Sequence, residues 1–557
     1  MIQTPLLSVK DLSISFPFGE SNRVAVEQLS FDIYKGKTLG IVGESGSGKS
    51  ITCLSIMKLL QKAQHTGDIL FEGQNLLSQS EKDLQKIRGN EISMVFQEPM
   101  SSLNPVHTCG KQVLEMLMQH EEIAKKEAKA RVIDWFEKVK LPHPRRVYSA
   151  YPHELSGGQK QRVMIAMAMI TQPKLLIADE PTTALDVSVQ AEILSLLKEL
   201  QETHQTSIIF ITHDLAVVSS IADDVLVLYK GKKMEYGETT SLFQNPQHAY
   251  TKALIACRPA DKKGRLTTVE ELMNANAAKL EQQQKSAPSV QTEHVILDIQ
   301  GLSKHYPLSK NIIGKTTHTL KALDQINLQV MQGQTLGIVG ESGSGKSTLG
   351  QCILQLTKPT QGKVFYGDTL LSMNNKKLLK SIRKEIQVVF QDPYSSLNPK
   401  ISIGKAILEV MKVHKLYTSK KEGIEKVKDL LEKVGLEREH YERYPSEFSG
   451  GQRQRVCIAR SLAVEPKVLI CDESVSALDV SVQAMVLNLL NDLKTAFNLT
   501  YLFISHDLSV VKYMSDYMII MNKGKIVEQG IPEKIYASPS SDYTKKLIAA
   551  IPNIQTS

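Results

Sequence analysis

A chain of 557 residues is longer than one hydrophobic core supports and points to more than one domain. With 42 % hydrophobic and 23 % charged residues it has an ordinary globular composition, and its apolar runs, of which Val163 to Ile170 is among the longest, fall far short of the roughly 18 residues of a membrane span. The net charge of +8 is modest for this length and does not by itself indicate nucleic acid, and six scattered cysteines without a CxxC pair fit a reducing compartment and a metal-free fold.

The start, MIQTPLLSVKDLSISF, carries Asp11 and alternating apolar positions where a signal peptide has a continuous apolar stretch, so an untargeted, cytoplasmic protein is expected. The alternation over Leu7 to Phe16 predicts a strand. After it comes GESGSGKS: Gly43, Glu44, Ser45, Gly46, Ser47, Gly48, Lys49 and Ser50. Glycines here let the backbone wrap around phosphate oxygens with N–H groups inward, Lys49 reaches the β- and γ-phosphates, and the Ser50 hydroxyl ligates Mg²⁺. Gln97 opens a Gln-Glu-Pro loop suited to contact Mg²⁺ and the attacking water from a mobile segment. Residues 110–139 show helical spacing, consistent with an inserted helical subdomain.

ELSGGQKQR follows, with Ser156, Gly157, Gly158 and Gln159 at a helix start, an anion-binding position. One half already has a phosphate cradle, so a second anion site implies a partner's nucleotide. The continuous apolar run from Leu175 to Ala178 is a buried parallel strand ending in two acids. Asp179 is placed to hold Mg²⁺ and Glu180 to take a proton from the attacking water. His213 ends another apolar run, as a γ-phosphate sensor would.

Residues 259–293 turn polar and read as a linker, with a helix expected over Val269 to Lys285. The whole toolkit then recurs at a nearly constant offset: 297 residues at Lys346, 294 at Gln391, and 293 at Asp472, His506 and Tyr543. Such constancy marks a duplicated domain, giving units 1–258 and 294–557 and an α/β fold class. A strand is expected over Leu297 to Tyr306 and a helical insertion over 404–434. The second site comprises Gly340, Glu341, Ser342, Gly343, Ser344, Gly345, Lys346, Ser347, Gln391, Asp472, Glu473 and His506. Ser347, Gln391 and Asp472 are its candidate metal ligands, as Ser50, Gln97 and Asp179 are in the first. Its signature is Ser449, Gly450, Gly451 and Gln452.

Phosphate loop, glutamine loop, LSGGQ signature, Asp-Glu pair, ALD loop (184–186 and 477–479) and switch histidine, in this order, resemble the ABC ATPases over nearly the whole chain. The resemblance implies two tandem nucleotide-binding domains, each a RecA-like P-loop core with an antiparallel β subdomain and an inserted α-helical subdomain. It also implies a head-to-tail sandwich in which each half's signature closes the other half's site. Phe16 and Tyr306 would stack on adenine. Two departures stand out. Ser474 replaces the usual proline, which is expected to loosen that turn, and the first signature helix has Met167 where the second has Arg460. Both sites are expected to hydrolyse ATP.

QEPMSSLNP and QDPYSSLNP, with the tails NPQHAYTKALIACRP and SPSSDYTKKLIAAIP, are similar to the ATPase subunits of dipeptide and oligopeptide importers, and the chain resembles a fusion of two such subunits. That implies two separate membrane permeases and a solute-binding protein as partners, a place on the cytoplasmic face of the membrane, and no direct contact with the transported solute or nucleic acid. Some relatives carry a cysteine-rich extension; here only Cys257 lies nearby, and no iron–sulfur cluster is expected. The alternative is a membrane-free twin ATPase acting on ribosomes, against which the short, mildly polar linker and the importer-like loops speak.

Overall fold

The computed structural model describes residues 4–19, 21–97, 102–183, 185–259, 264–274, 294–310, 316–476 and 478–552. Each half is built on a six-stranded sheet. In the first half the order is Lys232–Glu238, Asp224–Tyr229, Thr38–Val42, Ser207–Thr212, Leu175–Asp179, Ile92–Val95, all parallel except the edge strand Lys232–Glu238. The second half repeats it with Lys525–Gly530, Tyr517–Asn522, Thr335–Val339, Thr500–Ser505, Val468–Asp472 and Ile386–Val389. TLGIV occurs in both central strands, and all five of its residues are buried each time, as a strand covered on both faces requires.

A four-stranded antiparallel sheet flanks each core. It is formed by Leu7–Phe18, Ser21–Ile33, Gln64–Phe71 and Gln74–Asn75, and again by Val295–Lys310, Thr316–Met331, Gln361–Tyr366 and Thr369–Leu370. The strands expected over 7–16 and 297–306 thus extend further, because each pairs with a long partner in a hairpin. The helical insertions are each two principal helices: Cys109–His120 with Lys125–Lys138, and Ile403–Val413 with Lys420–Lys433. Gly110 and Gly404 bring the first helix of each pair against an aromatic ring. A Cβ there would lie 2.2 Å from Tyr148 or Tyr441, too close for any other residue without rearrangement.

The sequence places residues 264–274 within a polar linker, but they are packed. Leu266 is fully buried and Val269 nearly so, in a cluster that also holds Leu487, Leu490 and Val511 of the second half. A helix is seen there over Val269–Asn274; the rest of the expected 269–285 helix lies outside the described residues. Apolar residues at 266, 269 and 272 find a surface to cover in the other half, which local composition does not reveal.

Candidate functional site

Four neighbouring parallel strands deliver the site. Thr38–Val42 runs into the phosphate loop, Leu175–Asp179 ends in the acidic pair, Ser207–Thr212 ends at His213, and Ile92–Val95 leads to Gln97. Their carboxyl ends lie together, the place where open parallel sheets bind ligands. The loop needs its glycines: Gly43 and Gly340 have φ of 154° and 158°, and a Cβ on either would sit 2.2 Å from a backbone carbonyl of the next strand, Leu228 or Met521.

Lys49 is buried, its Nζ donating to the carbonyls of Gly43 at 2.7 Å and Glu44 at 2.9 Å; Lys346 does the same to Gly340 at 2.7 Å and Glu341 at 3.0 Å. Burial lowers both ammonium pKa values from the ordinary lysine range. Ser50 Oγ donates to Asp179 Oδ1 at 3.0 Å, and Ser347 to Asp472 at 3.0 Å. Burial pushes both aspartates upward. Each loop therefore sets a buried ammonium close to a Ser–Asp pair.

Glu180 and Glu473 adopt left-handed backbone, φ 46° and 48°, a strained conformation for glutamate that turns the side chain into the site. Glu180 accepts from Gln97 Nε2 at 2.9 Å and Thr183 Oγ1 at 2.9 Å, and faces His213 Nδ1 at 3.4 Å. Burial opposes its ionisation, but the hydrogen bond and charge of His213, with Thr183 and Lys49, outweigh it and hold the carboxyl at about 2. In return Glu180 raises His213 against the effect of burial. Glu473 accepts from Gln391 at 2.7 Å and faces His506 at 3.5 Å, which lowers its pKa. There Ser476 turns its hydroxyl to the Glu473 backbone carbonyl instead. The glutamine and histidine of each half thus converge on the glutamate.

Ser474 does not loosen the turn after Glu473. Backbone bonds close it as in the first half: Ser476 N to Glu473 O at 3.3 Å and Leu478 N to Val475 O at 3.3 Å, against Thr183 N to Glu180 O at 3.2 Å and Leu185 N to Thr182 O at 3.2 Å. Proline's ring is not needed where these bonds already fix the chain, and Ser474 is buried. The other departure has a structural consequence. Arg460 donates to the Ser396 carbonyl and Arg453 to the Tyr394 hydroxyl, binding the second glutamine loop to its signature helix, whereas Met167 packs in the first helical core.

Phosphate loops and ALD loops meet across the halves. Asp479 accepts from the Ser45 amide at 2.9 Å, Asp186 from the Ser342 amide at 2.5 Å, and Ser188 donates to the Glu341 carboxylate. Ser156 and Ser449 cap their own helices, accepting from Gln159 N and Gln452 N at 3.3 Å. Gly158 packs against Val189 and Gly451 against Val482, each one residue from the serine that touches the opposite loop. Gly157 and Gly450 lie beside Leu185 and Leu478. Each signature is therefore joined to the other half's loop through the helix following its own ALD loop.

Phe16 and Tyr306 sit half-buried on the hairpins that lean against the loops. Phe16 pairs with Arg23, and Tyr306 with Leu320 beneath the Lys304 ammonium, 4.8 Å above its ring. The cavity over the second loop, about 180 Å³, is lined by Gly343, Gly345, Lys346, Ser347, Gln391 and Glu473. Sequence reasoning gave no role to Tyr543, whose hydroxyl accepts from the Glu341 amide at 3.2 Å, nor to Tyr250, buried facing Glu44. Their signal was the 293-residue offset they share with the histidines. Cys257 is buried and its thiol donates to the Thr267 carbonyl at 2.9 Å.

The ABC transporter family matches residues 26–183 and 323–476, and the oligopeptide/dipeptide transporter C-terminal region matches 234–286 and 527–557. A peptidoglycan transport ATP-binding protein, YejF of Agrobacterium fabrum (strain C58), is 46 % identical over 99 % of this chain and 97 % of its own length. A glutathione import ATP-binding protein, GsiA of Escherichia coli O157:H7, is 43 % identical over 98 % of this chain and 89 % of its own. Among solved structures, cbiO1 of Clostridium perfringens is similar to 44 % of this chain over 92 % of its own (TM-score 0.39, 28 % identity), and the cassette MJ0796 bound to ADP and Pi to 42 % over 98 % (TM-score 0.38, 27 % identity). The chain is a member of the ABC transporter family, an ATPase with two ATP-binding domains in one polypeptide.

Proposed function

We propose that this chain energises a peptide-type ABC importer by closing its own two halves around ATP. The observation that carries this reading is the pair of reciprocal contacts, Asp479 to Ser45 and Asp186 to Ser342, which seat each ALD loop on the other half's phosphate loop within one chain. The site residues fit ATP with Mg²⁺. Among the described residues the buried lysines donate to backbone carbonyls, which phosphate oxygens would replace, and the Ser–Asp pairs offer the few hard oxygen ligands Mg²⁺ takes from a protein. When bound, Mg²⁺ neutralises charge on the β- and γ-phosphates.

In the mechanism we infer, Gly43 to Ser50 and Gly340 to Ser347 bind phosphates, and Phe16 and Tyr306 bind adenine. Ser156 to Gln159 close the second site and Ser449 to Gln452 the first. Glu180 and Glu473 accept the proton of the attacking water. As it stands, Gln97, Thr183 and His213 surround the Glu180 carboxylate, and a carboxyl held at about 2 is a weak base. Closure that moves His213 to the γ-phosphate would free one lone pair of Glu180 for water and raise its basicity. Gln97, on the loop leading to the helical subdomain, couples that step to the permeases.

The relatives act in import of glutathione and transport of peptidoglycan, and the two tail matches belong to oligopeptide/dipeptide transporters. A peptide or peptide-like solute, two membrane permeases and a solute-binding protein complete the reading, with this chain at the cytoplasmic face. Among the described residues no helix is long and apolar enough to cross a membrane. The test compares ATP turnover of the purified chain with its Lys49→Ala, Lys346→Ala variant, then recovers partners from solubilised membranes. Turnover lost in the variant and two multi-span proteins recovered support the proposal; ribosomal particles recovered instead overturn it.

A further inference from the structure

We propose that the face formed by helices Val480–Phe497 and Leu508–Met514 of the second half is a nucleotide-independent docking surface for residues 264–274 of the first half's tail, and that it is the pivot on which the first ATP site opens. Its centre is Asn488, 3 % exposed, which clasps the backbone of fully buried Leu266 from both sides: Oδ1 accepts from Leu266 N at 2.9 Å and Nδ2 donates to Leu266 O at 2.7 Å. An asparagine reading one residue's N–H and C=O reproduces the pairing of a β-strand. Around it, Tyr513 donates to the Gly264 carbonyl at 2.8 Å, and one guanidinium nitrogen of Arg265 reaches both carboxylate oxygens of Asp492, at 2.8 and 3.1 Å.

The surface is directional. At the corresponding offset the first half has Ser195 for Asn488, Glu199 for Asp492 and Ser220 for Tyr513, and Glu199 is paired with Lys140 at 2.6 Å. A serine carries its donor and acceptor on one short hydroxyl, which cannot span the N–H and the C=O of one residue as a carboxamide does. The first half's tail therefore has a receptor on the second half that the first half does not offer in return.

None of the clasp residues lies in a phosphate loop, a signature or an acidic pair, so ATP is not needed to make it. Yet the same helix begins at Asp479, which meets Ser45 of the first phosphate loop. Asn488 lies nine residues further on, about 14 Å along the axis at 1.5 Å per residue. One helix thus carries a permanent contact and a switchable one, and opening of the first site is a rotation about the former that breaks the latter.

The test uses the full chain with a protease site introduced between residues 280 and 288. After cleavage, gel filtration without nucleotide is expected to show wild-type halves eluting together. The Asn488→Leu, Arg265→Ala variant is expected to separate, with association at least tenfold weaker. Ser195→Ala with Glu199→Ala, at the twin positions, is expected to leave association unchanged. Thermal melting of the uncut variants checks folding; if the double variant melts early, the surface substitutions Arg265→Ala and Asp492→Ala alone are compared, and each must weaken association. Wild-type halves that fall apart without ATP, or cut variants that stay together like wild type, overturn the proposal.

Discussion

Replacing Glu180 and Glu473 with glutamine tests the mechanism most directly. Glutamine keeps the shape and one carbonyl acceptor for Gln97 or Gln391 but removes the negative charge and the proton-accepting oxygen. In the wild type, Glu180 at about 2 is fully ionised at neutral pH, so the substitution exchanges a carboxylate for a neutral amide there. Loss of a positioned general base costs about 10²- to 10⁴-fold in rate, or roughly 3 to 5.5 kcal/mol of transition-state stabilisation. In the proposed mechanism Lys49, Lys346 and the loop amides hold the nucleotide, and they are untouched, so ATP should bind and remain. Phosphate release at saturating ATP and Mg²⁺ should fall at least 100-fold, and the purified double variant should retain about two ATP per chain through gel filtration, as two intact phosphate loops imply. Turnover within about threefold of wild type would refute the assignment of proton transfer to these glutamates.

Asp186→Ala removes a charge-assisted bond to the exposed Ser342 amide; about 1 kcal/mol, or roughly fivefold more ATP for half-maximal closure, is expected by a distance reporter across the halves. Gly451→Ala would put a Cβ 2.2 Å from Val482, so an overpacking cost of about 1–3 kcal/mol should lower the melting temperature, and Val482→Ala should restore it. The Glu180 carboxyl is depressed from 4.5 to about 2, so the stability it contributes is complete above pH 4.5 and disappears as the pH falls towards 2. Glu180→Gln should flatten acid unfolding in that window, seen by circular dichroism. His213 has the opposite sign: raised from 6.5, it contributes stability fully present below pH 6.5 and lost as the pH climbs through its folded value, so His213→Ala should lose most stability on the acid side of neutrality.

The sequence by itself determined the duplicated α/β fold, because the motif set recurs at a nearly constant offset and the apolar runs ending at Asp179 and His213 announce strands buried on both faces, whereas the central strand Thr38–Val42 emerged only in the structure. Contacts within a half followed from that order: Ser50 finds Asp179 because adjacent strands end side by side. Only the tertiary structure decided what depends on how two surfaces meet. Gln97 and His213 stand out in the sequence as candidates, but their convergence on Glu180 depends on how neighbouring strands bring their ends together. The role of Tyr543 depends on where a tail more than 200 residues from Glu341 returns to the sheet. Residues 264–274 look like a linker because a polar stretch with apolar residues at 266, 269 and 272 has no core of its own; Asn488, 222 residues away, supplies the partner that buries Leu266. Local pattern fixes what each segment can bury or bond, whereas the choice among distant partners is made by packing.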